Sequence, residues 1–221
     1  MVALSLAEEL FLLALHEEKG KVHDSLAMSV HYGLGGALLA DLALHNMIAI
    51  DPKGKVIVFD SDSCGDEILD EAYFKIKDAS KLFKIKHWVE EFSDNFRKLQ
   101  KRLAESLANK GVLIREEHKY LWVIPYEAYP QLDASAKYWL KSQLREILLA
   151  GNKADAHAVV LLSLIRACGM LPFVITRDEQ KETRRRIEQL THDEEIGKAV
   201  QDAIEMIEAA ATTASMIASI G

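Results

Sequence analysis

The sequence contains little that would favour a secreted or disulfide-stabilised protein. Only two of its 221 residues are cysteines, Cys64 and Cys168, and they lie far apart without the spacing of a disulfide framework. Free thiols in a reducing compartment are therefore the expected state. Prolines number four, and no stretch rich in proline, glycine and serine divides the chain. We expect one domain spanning residues 1–221.

Long uninterrupted apolar runs are also missing. None reaches the roughly 20 residues that a membrane-spanning helix needs. Glu8 and Glu9 interrupt the first apolar segment, which lacks the basic leader of a signal peptide. These absences predict a cytoplasmic protein whose contact with a membrane is at most peripheral.

Positive charge is in short supply. The chain has 27 lysines and arginines against 34 aspartates and glutamates, a formal net charge of −7. This balance disfavours broad electrostatic binding to nucleic acid or to an anionic bilayer, so any anion site must be a local patch. The 49% of hydrophobic residues is typical of a globular protein with a substantial core.

Motifs for catalysis or metal binding are absent from the sequence. The eight histidines lack zinc-ligand spacing, and no serine or cysteine has the context of a nucleophile. Gly33, Gly35 and Gly36 lack the third motif glycine and the preceding strand of a phosphate-binding loop, so we interpret them as sites of close helix packing. The acidic cluster at 60–71 lacks calcium-loop spacing and fits a helix start. We expect no enzymatic activity, no metal and no cofactor.

Apolar periodicity predicts a mainly α-helical protein. Stripes at helical spacing indicate helices over residues 5–18, 66–77, 87–109, 133–149, 155–168 and 193–219. Ser5 followed by Glu8 has the spacing of a capping box at the first helix. The charged run 178–186 is interpreted as the approach to the last helix.

A weak internal repeat relates two segments 65 residues apart. Three leucines at four-residue steps occur in each: Leu34, Leu38 and Leu42, then Leu99, Leu103 and Leu107. Each set forms one face of a helix. Asn46 and Gly111, residue types that tolerate the left-handed backbone at a helix end, also correspond.

A β-hairpin is predicted after each of these helices. β-Branched and aromatic runs indicate hairpins at 48–59, turning at Asp51–Gly54, and at 113–124, turning at Glu116–Lys119. The predicted fold is thus a mainly α, single compact helical domain with two short hairpins in winged-helix-like units.

Basic residues in the second unit form a candidate anion site. Arg97 and Lys101 are four residues apart, as are Lys98 and Arg102, so each pair lies on one side of a helix. Two cationic groups one turn apart can hold a phosphate from both sides. A solvated helix face is the alternative, since it is the usual environment of lysine and arginine.

Four sequence blocks, taken in order, resemble the Golgi phosphoprotein 3 family. They are Leu4–Leu15, Tyr32–Leu44, Cys64–Ala72 with its Gly-Asp-x-x-Leu-Asp-Glu-Ala pattern, and Lys101–Leu113. The ordered resemblance extends over residues 4–215. Eukaryotic members are peripheral membrane proteins, so the resemblance implies a non-catalytic membrane adaptor.

The resemblance also implies a headgroup site that is only partly kept. In eukaryotic members a tryptophan and three arginines bind phosphatidylinositol 4-phosphate. The resemblance places these positions at Leu26, Gly35, Arg97 and Gln100, so only Arg97 is retained. Lys101 and Arg102 compensate in part. We expect anionic lipid binding with weakened specificity, in a divergent or prokaryotic member without the basic N-terminal arm.

The second hairpin is a further site implied by the family. In relatives this hairpin serves self-association and shallow membrane insertion. Strand alternation places Tyr120, Trp122 and Ile124 on one face and Leu121 and Val123 on the other. A hairpin packed on both faces within the monomer is the alternative.

Three functions therefore remain, in order of preference. The first is a peripheral membrane adaptor that binds anionic headgroups together with an unidentified protein partner, at the Golgi only if the protein is eukaryotic. The second is an oligomeric scaffold that acts through the second hairpin. The third, a winged-helix nucleic-acid binder, is disfavoured by the net charge of −7.

Overall fold

The protein is mainly helical, as predicted. The computed structural model describes residues 3–17, 19–94, 96–120, 124–132, 134–192 and 198–219. Its helices are α1 (Leu6–Ala14), α2 (Ala27–Leu44), α3 (Glu67–Lys77), α4 (Ile85–Asp94), α5 (Phe96–Asn109), α6 (Ser135–Leu149), α7 (Ala156–Ala167), α8 (Gln180–Thr191) and α9 (Lys198–Ala218), with 3-10 turns at Asp24–Leu26 and Leu171–Phe173. Its strands are β1 (Ile48–Ile50), β2 (Val56–Val58), β3 (Glu116–Tyr120) and β4 (Ile124–Ala128), paired as two antiparallel hairpins.

Helix α2 forms the centre of the core, where it packs against α1, α4, α7 and α9. Its glycines permit this packing. A Cβ atom at Gly35 would lie 2.9 Å from the Val89 carbonyl of α4, and one at Gly36 would lie 2.8 Å from the Ala210 Cβ of α9. Since even one added carbon would collide with a neighbouring helix, the close-packing interpretation of these glycines is confirmed.

The helical stretch Asp24–Leu44 corrects the prediction that no apolar segment is long enough to span a membrane. This segment of 21 residues is long and apolar enough to cross a membrane by length and composition. This segment is not an uninterrupted apolar run, because Asp24, His31 and Asp41 lie within it. However, 78% of its most apolar window is buried inside the protein, as in a core helix.

Helix α1 begins with the predicted capping box. The Glu8 N–H donates to the Ser5 hydroxyl at 3.3 Å, and the Ser5 N–H donates to the Glu8 carboxylate at 2.9 Å. The helix ends at Ala14, four residues before the predicted end at 18.

One helix prediction was wrong. The charged run 178–186 is not a connecting segment, since most of it lies in α8. That helix buries only Thr183 and Ile187, so its apolar stripe is too thin to recognise in the sequence. The residues predicted as one helix over 87–109 are helical in α4 and in α5, and residue 95 between them lies outside the described residues.

The two related segments end their helices in the same way. Asn46 and Gly111 both have left-handed backbones, with φ of 54° and 73°. In each segment the next N–H donates back to the last turn of the helix. Met47 N–H donates to Leu42 O at 2.9 Å, and Val112 N–H donates to Leu107 O at 2.8 Å. This is the Schellman arrangement, and these three backbone positions keep the 65-residue offset.

The first hairpin is confirmed at its predicted place. Ile48 pairs with Val58 and Ile50 with Val56. In the turn, the Asp51 carboxylate accepts hydrogen bonds from the N–H groups of Lys53 and Lys55, each at 2.8 Å.

The second hairpin was placed wrongly in the sequence. Its predicted turn, Glu116–Lys119, lies within strand β3, and Tyr120 pairs with Ile124 across the hairpin, so these two are not on one strand. Leu121, Trp122 and Val123 lie outside the described residues. A bridge between Leu113 and Gln131 continues the register toward the base. Strand β3 consists mainly of charged and polar residues, a composition that resembles a turn in the sequence.

Candidate functional site

The predicted anion-binding residues lie in the first half of α5. Lys101 is exposed, and its ammonium nitrogen lies 3.9 Å from the carboxylate of Glu105, one turn later. Gln100 is half-buried. Arg97 belongs to α5, but its side chain lies outside the described residues.

Arg102 faces the start of α3. Its guanidinium donates to the Glu71 carboxylate and lies 3.5 Å from that of Glu67, and 22% of its side chain is exposed. The sequence spacing predicted that Arg102 belongs to one anion site with Arg97 and Lys101. In the structure Arg102 is paired instead with two carboxylates that offset its charge. An anion would have to displace Glu71 to bind Arg102.

The acidic cluster at the start of α3 has a structural role. Asp66 caps the helix by accepting hydrogen bonds from the N–H groups of Ile68 and Leu69, at 2.9 and 3.0 Å. Asp70 accepts one from the Cys64 N–H at 2.8 Å. Within the described ranges, no group of three histidine, cysteine or acidic side chains is arranged to hold a metal ion.

A cleft of about 210 Å³ opens beside these residues, between α2, α3, α4 and α5. Its walls are apolar and include Leu38, Ile68, Phe92 and Leu99. Its charged rim combines Lys75, Lys98 and Arg102 with Glu71 and Glu91. Because Lys75 contacts Glu91 and Arg102 contacts Glu71, an anionic ligand here competes with carboxylates.

Of the three family pocket positions that are not kept, Leu26 and Gly35 lie inside the protein. Leu26 is buried in the core. Gly35 faces α4, where Val89 and Ser93 leave no room for even a Cβ atom. Neither position therefore lines an open pocket.

A set of buried ionisable side chains, which the sequence patterns did not indicate, contacts α1. The buried Asp41 of α2 accepts a hydrogen bond from the Leu6 N–H at 2.8 Å, and burial raises the pKa of Asp41 to about 7. The buried Glu8 of α1 accepts from the Ser106 hydroxyl at 2.7 Å and from the Lys110 ammonium at 2.6 Å. These contacts join α1 to both α2 and α5.

Two further charged groups contact the same helix. His157 Nε2 lies 2.6 Å from the Glu9 carboxylate. Burial is the largest single influence and lowers the pKa of His157, but the hydrogen bond and charge of Glu9, with the charges of Asp41 and Asp155, together outweigh it and raise this pKa. The buried Lys137 donates to Leu15 O at 2.6 Å, and burial lowers its pKa to about 8. The capping box pointed to Glu8, but no sequence signal joins His157 or Lys137 to a helix over 100 residues away.

Comparison with known proteins gives a consistent relationship. The sequence profile described as Golgi phosphoprotein 3 (GPP34) matches residues 6–207. The chain is also 28% identical to the Vacuolar protein sorting-associated protein 74 of Schizosaccharomyces pombe over 168 residues, which cover 66% of this chain and 48% of that protein. The chain thus spans about half the length of this curated relative. Because the profile covers nearly the whole described chain, the protein belongs to the Golgi phosphoprotein 3 (GPP34) family.

Proposed function

We propose that this protein is a non-catalytic peripheral membrane adaptor that binds anionic lipid headgroups through the first half of α5. Arg97 is the principal contact, assisted by Lys101 and by Arg102 when Glu71 is displaced. It acts at the cytoplasmic surface of a membrane. If the host has a Golgi, this membrane is the Golgi membrane.

Family membership is the observation that supports the adaptor role. The family is named for a Golgi phosphoprotein, and the relative from Schizosaccharomyces pombe is named for vacuolar protein sorting. Both names refer to membrane compartments.

The environment of α5 supports binding that is modest in strength. Lys101 is exposed and its pairing with Glu105 at 3.9 Å is a surface ion pair, which stabilises by at most about 1 kcal/mol. A lipid phosphate can therefore replace Glu105 at little cost. Arg102 is less accessible because Glu71 and Glu67 already bind it.

Selectivity for phosphatidylinositol 4-phosphate is expected to be weak. The two remaining pocket positions, Leu26 and Gly35, are buried and supply neither an aromatic ring nor a guanidinium. Charge alone then favours any anionic headgroup.

Vesicle flotation tests this proposal. Wild-type protein should bind vesicles of phosphatidylserine and vesicles of phosphatidylinositol 4-phosphate with similar affinity, and salt should weaken both. Arg97→Ala should reduce binding about tenfold or more, since a hydrogen bond to a charged group contributes about 1.5–3 kcal/mol when poorly solvated. Arg184→Ala, which removes an exposed arginine of α8, is the matched control. Absence of binding to either vesicle would remove the membrane half of the proposal.

An oligomeric scaffold is the second candidate. Strands β3 and β4 contact chiefly each other, and a two-stranded ribbon has two edges at which a further strand can pair. Such edges favour pairing with a second copy of the chain. Light scattering should then show a dimer that Trp122→Glu weakens, and a strict monomer at high concentration would exclude this function.

A further inference from the structure

Ion pairs span the rim of the cleft between α2, α3, α4 and α5. Arg102 of α5 contacts Glu71 of α3, and Lys75 of α3 contacts Glu91 of α4. Both pairs line the cleft together with the exposed Lys98. Two of these three cations are thus matched with carboxylates of the same chain.

Glu71 holds the position that an anionic ligand of Arg102 would take. The Arg102 guanidinium donates to the Glu71 carboxylate, and Glu67 offers a second carboxylate at 3.5 Å. Carboxylate and phosphate oxygens are equivalent acceptors for a guanidinium, which binds both with the same fork of N–H groups. A lipid phosphate and Glu71 therefore compete for the same donors of Arg102.

The carboxylate of this pair is better placed to move than the arginine. The Arg102 side chain is 22% exposed, whereas that of Glu71 is 61% exposed and that of Glu67 is 94% exposed. Water can solvate a displaced Glu71, and the part of the chain that the structure describes gives this carboxylate no other hydrogen-bond donor. Helix α3 has its own cap at Asp66, so its start does not depend on Glu71.

Glu8 shows the contrasting arrangement beside the last turn of α5. Its side chain is 1% exposed and accepts hydrogen bonds from Ser5, Ser106 and Lys110. A buried carboxylate with several donors is fixed, because it would lose them without gaining water. Glu71 has open access to water, so its contact with Arg102 is exchangeable.

We propose that Glu71 is an internal competitor for the anionic headgroup that binds α5. The Glu71 carboxylate occupies Arg102 in the free protein, and a headgroup oxygen takes its place at the membrane. This inference rests on the proposed function and adds to it a residue that limits affinity. Because one ion pair replaces another, Arg102 contributes little to lipid affinity or to its salt dependence while Glu71 is present.

Glu71→Gln tests the competition, since glutamine has nearly the same size but no charge. Phosphatidylserine vesicles should bind this variant about threefold to fivefold more tightly, which corresponds to the contribution of an exposed ion pair. Salt should weaken its binding more steeply than that of the wild type, because Arg102 now gains an ion pair on binding. Glu182→Gln, at an exposed position of α8, makes the same change in net charge and is the matched control. Equal tightening by both variants would assign the gain to net charge and overturn the proposal.

Arg102→Gln supplies the second half of the test. In this background Glu71→Gln should no longer tighten vesicle binding, because the donor for which Glu71 and the lipid compete is missing. A gain that persists without Arg102 would show that Glu71 repels the membrane through space, and would refute the competition. Thermal unfolding followed by circular dichroism verifies that each variant is folded.

Inorganic phosphate separates this inference from the proposed function and serves equally if Arg102→Gln does not fold. The Arg102 Nε–Hε NMR signal, identified by its loss in Arg102→Lys, should shift at a lower phosphate concentration in Glu71→Gln than in the wild type. An equal response of the two proteins would overturn the internal competition, even if both bind vesicles. The expected difference without binding of either protein to vesicles would support the competition, assign the site to free phosphate and refute the proposed function.

Discussion

The two helix–hairpin units share a helix ending but have opposite environments. Helix α2 of the first unit is buried on all sides from Gly33 to Ala43, whereas α5 of the second unit buries mainly the face that carries Leu99, Leu103 and Leu107. Ile48 pairs with a residue ten positions on, while its counterpart Leu113 pairs eighteen positions on, so the second ribbon is longer. The first unit thus has a fully buried helix segment, and the second has a half-exposed, charged helix and a longer ribbon.

Helix α1 lies between the two units and is bound by equivalent positions in each. Asp41 of α2 accepts from the Leu6 N–H, and Ser106 of α5, 65 residues later, donates to Glu8. The two contacts come from corresponding positions but differ in chemistry. In the buried unit a carboxylate contacts α1, and in the half-exposed unit a hydroxyl and the Lys110 ammonium contact it. A shared scaffold has therefore been adapted to two dielectric environments.

The largest expected effect comes from the pair Gly35 and Gln100, which correspond under the same offset. Gly35→Arg should cost at least about 3 kcal/mol of folding free energy, because α4 leaves no room for the side chain and the charge would be buried without a partner. Gln100→Arg should change stability by under about 0.5 kcal/mol, because α5 is half-exposed there. Urea unfolding of both variants gives the comparison. Equal costs would show that the units do not differ in burial.

The fold was predictable where one chemical pattern determined the structure. The capping box at Ser5, the turn at Asp51–Gly54 and the helix ends at Asn46 and Gly111 depend on local residue types, and each is confirmed. The second hairpin was placed wrongly because the polar run Glu116–Lys119, which resembles a turn, lies within strand β3.

The candidate site was less predictable because charge pairing depends on tertiary contacts. Nothing within α5 indicates that Arg102 binds Glu71, 31 residues earlier, or that Lys110 binds Glu8, 102 residues earlier. Likewise, the burial of Leu26 and Gly35 follows from the packing of α2, which a resemblance between sequences does not reveal.

A smaller effect concerns Asp41, the buried anchor of the first unit. Its pKa is raised from 3.8 to about 7 by burial, so the native state holds a proton that the unfolded state has lost between these values. This contribution to stability is complete below pH 3.8 and is lost as pH rises toward 7, at up to about 1.4 kcal/mol per pH unit. Asp41→Asn should therefore gain about 2 kcal/mol relative to wild type between pH 5 and 8.

The second unit supplies the control for that measurement. Ser106→Ala removes the equivalent contact to α1 without removing an ionisable group, so its cost should be about 1 kcal/mol and similar at pH 5.5 and 8. The raised pKa of His157 acts in the same direction as that of Asp41; its contacts with Glu9 remain in both variants, whereas the contribution from the Asp41 charge is lost in Asp41→Asn. Parallel pH profiles for wild type and Asp41→Asn would contradict the assignment of the pH dependence to Asp41.

The smallest expected effect concerns the helix ends that the two units share. An added Cβ at Gly111 meets no atom within 4 Å, so Gly111→Ala reports backbone strain alone. With φ at 73°, the substitution should cost about 1 kcal/mol, and Gly111→Asn should cost less because asparagine tolerates this conformation. Asn46→Gly, at φ of 54°, should be neutral or slightly stabilising. Asn109→Ala, inside the last turn of α5, is the control and should not destabilise, since alanine favours helix. Thermal unfolding of these variants would show whether the common ending contributes equally to a buried and an exposed helix, because the strain depends on φ and not on burial.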